Sequence, residues 1–144
     1  MTVLSDIKIV RMVANIATIL FAVVIVLQIL LAAGILPVSI AWEGRQSQLT
    51  TSLRIASLIA AVLLGAFIYV TRYRAGLVAQ GPIPIFIKVI SWIITVFMAF
   101  NTLGNIASSS NGEKLIFGPI TFLLTIASLI VSASRLDKES AQRD

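Results

Sequence analysis

The chain has 144 residues, of which 58% are hydrophobic and only 12% charged, with a net charge of +5. Soluble domains carry about 25% charged residues, so this chain lacks the polar groups to coat its own apolar surface and needs lipid as its solvent, or a very large protein partner. It has no Cys and no His, which excludes disulfides, thiolate metal sites, c-type haem attachment and Cys nucleophiles, and removes the commonest metal ligand and general base.

Charged residues divide the chain into four uncharged runs: 12–42, 55–71, 89–112 and 115–134, of 31, 17, 24 and 20 residues. A membrane-spanning helix needs about 20 apolar residues. The first run contains Leu31-Ala32-Ala33-Gly34, which resembles a small-residue cleavage site. Its apolar core is nevertheless far longer than the roughly 7–15 residues of a signal peptide, so an uncleaved first span is expected. The second run is short, but Arg54 and Arg72 at its ends can extend it by directing their charged heads outward. Thr50, Thr51 or Ser52 can cap the second helix, and Gly81-Pro82-Ile83-Pro84 breaks the chain before the third. Ser110-x-x-Glu113 has the spacing of a capping box and would open the fourth helix, with Gly118-Pro119 kinking it from inside. None of the runs has the polar face that a helix of a soluble bundle would show. The reading is a single all-α transmembrane domain, an antiparallel four-helix bundle with short loops and spans at 12–35, 53–72, 87–107 and 114–134.

Four spans put both termini and the middle loop on one side. That side holds Lys8, Arg11, Arg72, Arg74, Lys88, Arg135, Lys138 and Arg143; the other holds only Arg45, Arg54 and Lys114. The excess of positive charge predicts cytoplasmic N- and C-termini. The basic residues therefore read as topology signals, and no nucleic-acid partner is expected, because no basic run with interleaved aromatics is present. Trp42 on the outer side, with Tyr69, Tyr73 and Trp92 toward the inner side, fits the aromatic belts of the two interfaces.

Within lipid, small residues and amides carry much of the packing between helices. Ser57, Ala61 and Gly65 form a small-residue stripe on the second span, Thr121, Thr125, Ser128 and Ser132 a polar side of the fourth, and Ala14, Thr18 and Ala22 a small face of the first. These faces serve either the bundle itself or a protein partner or second copy. Asn15 lies near the inner interface. Gln28 lies deeper and must face the bundle, because an unsatisfied amide in hydrocarbon costs several kcal/mol.

Three segments gather polar residues at the outer helix ends: Trp42-Glu43-Gly44-Arg45, Asn101-Thr102-Leu103-Gly104-Asn105, and Glu113-Lys114 followed by Gly118-Pro119 and Thr121. Asn101 and Asn105, four apart, share a helix face. Trp42, Glu43, Arg45, Asn101, Asn105, Glu113, Lys114 and Thr121 are the candidate site. Arg45 or Lys114 would meet an anion or lipid head group, and the asparagines a polar ligand. The competing reading is that these residues pair with one another, Glu43 with Arg45, Arg54 or Lys114, and pin the loops to the helix ends.

The same segments, together with Gly34-Ile35-Leu36-Pro37 and Pro119-Ile120-Thr121, resemble a family of small bacterial four-span membrane proteins. The resemblance implies a bacterial inner membrane and brings no activity with it.

Of the six carboxylates, only Glu43 and Glu113 lie at the outer interface, and neither has a His partner. No enzyme activity, metal or cofactor is expected. The expectation is a non-catalytic interaction, regulatory or accessory subunit. The alternative is an oligomeric small-solute channel or transporter with its polar site at the outer helix ends. Coupled transport usually places ionisable residues at membrane depth, and all four runs lack them.

Overall fold

The computed structural model describes residues 6–42 and 47–136. Four long helices run through it: α1 (Ile7–Ala33), α2 (Thr51–Arg74), α3 (Ile85–Ala107) and α4 (Gly118–Ser132), the last continued backward by a π turn, Glu113–Phe117. With that turn included, the helices are 27, 24, 23 and 20 residues long, each long and apolar enough to cross a membrane. At 1.5 Å per residue they measure roughly 30–40 Å. The chain is an all-α, multi-pass membrane protein, and no strand occurs among the described residues.

Local chemistry sets the helix ends. Asp6 caps α1 by accepting from the backbone N–H groups of Lys8 (2.9 Å) and Ile9 (3.4 Å). At the other end Gly34 adopts φ 78°, and the N–H of Ile35 turns back to Leu30 O, the left-handed stop that glycine makes without steric cost. Thr50 caps α2 through Leu53 N, and Pro84 stands immediately before α3. The capping box forms only in part. Ser110 Oγ accepts from Glu113 N, while Ser110 N donates to Ser108 Oγ.

The helices pair as two antiparallel hairpins, α1 with α2 and α3 with α4. The hairpins meet through α1 against α4 and, less extensively, α2 against α3. Phe21, Phe67, Ile94 and Leu124 stand in the common core. We call the end of the bundle at Ala33, Thr51 and Ala107 distal, and the end at Ile7, Arg74 and Ile85 proximal.

Polar contacts add direction to this packing. The last carbonyls of a helix lack partners within the helix, and three arginines on neighbouring helices supply them. Arg54 donates to Ala32 O, Arg11 to Gly76 O beyond α2, and the buried Arg74 to Ser132 O and Ser134 O. Arg72 donates to Asn15 Oδ1 at 2.9 Å. A hydroxyl and amide seam joins α3 to α4: Thr95 to Ser132, Thr102 to Thr125 and Asn105 to Thr121, at 3.1–3.2 Å.

Two expectations change in detail. The connection over 34–50 is long. Its first part holds a 3-10 turn, Val38–Ile40, that lies against the start of the fourth span. There Ser110 Oγ donates to Ser39 O at 2.8 Å, and a Cβ on Gly112 would fall 2.7 Å from the Ile40 backbone. The Ser57, Ala61 and Gly65 stripe also divides: Ser57 is fully buried, Ala61 half-buried, and Gly65 exposed with open space around it. Residues four apart advance about 40° around a helix, which carries the third member off the buried face.

Candidate functional site

A cavity of about 320 Å³ occupies the distal half of the bundle. Its polar lining is Gln28, Asn101, Asn105, Glu113 and Thr121, with Trp42 beside them, and its apolar lining includes Val24, Leu64, Met98, Phe117 and Leu124. Five candidate residues, Trp42, Asn101, Asn105, Glu113 and Thr121, thus meet around one space. Lys114 is exposed and stands outside the lining. Glu43 and Arg45 lie outside the described residues.

Each polar residue reaches the cavity for a local reason. Asn101 and Asn105 sit one turn apart on α3. Asn101 Nδ2 donates to Phe97 O at 2.9 Å, and Asn105 Nδ2 donates to Thr121 Oγ1, which in turn donates to Phe117 O. Both amides are oriented by these bonds, which use a nitrogen and leave the oxygens for other partners. Glu113, Phe117, Thr121 and Leu124 line the cavity from the fourth span. The π turn closes with Gly118 N donating to Glu113 O. It precedes Pro119, whose ring would otherwise meet the carbonyl four residues back. At Gly118-Pro119, where the sequence predicts a kink, the structure has this π turn.

Gln28 is the polar residue absent from the sequence-based site. It stands six residues before Gly34, roughly 9 Å in from the distal end of α1. Its Oε1 is shielded from solvent and has no hydrogen-bond partner among the described residues. An amide at that depth is costly unless it meets a polar partner. The depth was visible in the sequence; its convergence with Asn101 and Asn105 depends on how α1 and α3 are placed around the cavity.

Trp42 closes the space from above. It is half-buried, packs against the core and adopts φ 56°, a left-handed backbone that bulky residues rarely take. It faces inward, whereas Tyr69 and Trp92, also assigned to belts, are exposed. Below the cavity, Phe67 makes edge contacts with Phe21 and Phe97, at centroid distances of 6.0 and 5.5 Å. The polar end is thus distal and the floor is aromatic. Comparison with protein-family models, with curated proteins and with solved structures finds no match to the chain.

Proposed function

We propose that the chain is a non-catalytic membrane protein that binds a small molecule in its distal cavity and acts as an accessory or regulatory component. The observation that carries this is the convergence of Gln28, Asn101, Asn105, Glu113 and Thr121 on one mostly apolar space. Ligand sites are concave, of about 300–1,000 Å³, largely apolar, with a few polar groups that fix orientation. The packing of Phe21, Phe67 and Ile94 beneath the cavity favours a closed site over a conduit through a single bundle. A channel made by several copies remains the second reading of the exposed apolar surface. A protein partner or second copy would meet the stripe at Gly65, because Ser57 is buried.

We further propose a bacterial inner membrane with the proximal end cytoplasmic, on the strength of the family resemblance and of the eight basic residues assigned to that side. Binding is tested by native mass spectrometry of protein released from nanodiscs. Wild type should carry one small-molecule adduct per chain, and Ala60→Phe, which fills the cavity wall, should lose it. A wild-type protein that is free of adduct, and takes up none from a total lipid extract, overturns the binding reading.

A further inference from the structure

We infer that the cavity opens sideways to the membrane between α2 and α3, and that its occupant is an amphiphile with a neutral or cationic head group that donates hydrogen bonds. This rests on the reading of the cavity as a binding site and adds its route and its ligand class.

The route follows from what closes the space and what does not. Toward the distal aqueous side, the 3-10 turn is fastened to the start of the fourth span by Ser110 and by the close approach of Gly112 to Ile40. Ala41, next along the chain, is buried and lines the cavity with Trp42. On the flank, α2 and α3 touch less than the helices within either hairpin do. Leu63 of α2 and Phe97 of α3 line the cavity and are also 41% and 40% exposed. A side chain that belongs both to the cavity wall and to the lipid-facing surface marks a seam. Both flanking residues are apolar, so what passes between them at membrane depth is hydrocarbon.

The head group follows from the polar lining. Gln28 Oε1 is a shielded acceptor without a partner among the described residues. Asn101 and Asn105 use amide nitrogens on Phe97 O and Thr121 Oγ1, which leaves their oxygens to accept. Thr121 Oγ1 already accepts one bond and donates another. No lining residue among those described is a cation, and Lys114, one residue along, is outside the lining. A space dominated by acceptors suits a hydroxyl or amine and disfavours a phosphate or carboxylate. The volume holds about ten waters' worth of matter, enough for a head and the first methylenes. The remainder of the chain extends past Leu63 and Phe97 into the bilayer.

The test uses Trp42 as the reporter, in full-length protein carrying Trp92→Phe and reconstituted in nanodiscs. Dodecanol, dodecylamine, dodecyl phosphate and glycerol are titrated against its emission. Dodecanol or dodecylamine should shift the emission saturably, at least tenfold more tightly than dodecyl phosphate, and glycerol should not. Gln28→Leu should weaken the tighter probe about tenfold, the loss of one buried hydrogen bond. Leu63→Phe, at an exposed position that tolerates bulk, should slow or abolish the response while the thermal midpoint stays unchanged. Tightest binding of dodecyl phosphate overturns the ligand class. An unaltered response in Leu63→Phe, or a saturable response to glycerol, overturns the lateral route. Silence of Trp42 toward every probe overturns the binding reading and this inference with it.

Discussion

At Gly112 the absence of a side chain is a structural requirement. A Cβ there would sit 2.7 Å from the Cα, Cβ and O of Ile40, and backbone cannot retreat as the end of a flexible side chain can. Gly112→Ala should therefore lift the 3-10 turn off the start of the fourth span, at an expected cost of about 1–3 kcal/mol, typical of overpacking. Gly104 supplies the control. It lies inside α3, and among the described residues nothing stands within 4 Å of where its Cβ would be. Gly104→Ala should be neutral or stabilising, by up to about 1 kcal/mol of helix propensity. Thermal unfolding of both variants in one detergent checks the pair, and equal midpoints would contradict the close approach. Both glycines are plain in the sequence. What separates them is the return of a segment some seventy residues earlier, which local composition does not encode.

Among the elements, those fixed by local chemistry were legible and those fixed by contact were less so. The runs of uncharged residues, a cap among Thr50, Thr51 and Ser52, which Thr50 supplies, and the break at Pro84 follow from propensity and polarity along a few consecutive residues. The span expected at 12–35 is helical from Ile7, because Asp6 caps a turn that hydropathy excludes. The π turn was not foreseen, although Pro119 was the signal for it. If the missing N–H and the ring of Pro119 favour the wider turn, then Pro119→Ala should permit α-helical hydrogen bonding through 113–117. The predicted outcome is an unchanged or raised thermal midpoint, together with weaker probe binding at Trp42, since Glu113 and Phe117 would rotate relative to Thr121 and Leu124. Loss of stability without loss of binding would show instead that the turn is held by its neighbours. The candidate site was legible to the extent that it lies on helices of known depth. Asn101, Asn105 and Thr121 needed only α3 and α4 in antiparallel register, whereas Gln28 joins them across helices that are distant in sequence.

For the molecule as a whole, the decisive property is where charge is absent. The charged side chains of the four helices stand in their terminal turns, and the arginines there complete the carbonyl ends of neighbouring helices. The membrane-depth interior is left to hydroxyls and amides. Arg11 and Arg74 stabilise the proximal end by hydrogen bonding, and Arg54 does the same at the distal end; on the orientation proposed above, the proximal basic residues would also bias that end toward the cytoplasm during insertion. That bias depends on the Lys and Arg count of short flanking segments and only weakly on acidic residues, so Asp6, Asp137 and Glu139 do not cancel it. The absence of native Cys makes the orientation directly measurable. Ser109 is exposed at the distal end and Gln80 at the proximal end. In intact bacterial cells, Ser109→Cys should react with a membrane-impermeant maleimide, and Gln80→Cys should react only after permeabilisation. The opposite pattern would place the cavity's polar end toward the cytoplasm. The lateral opening would be unaffected, because it faces lipid in either orientation, but the ligand's head group would then have to lie in the inner leaflet.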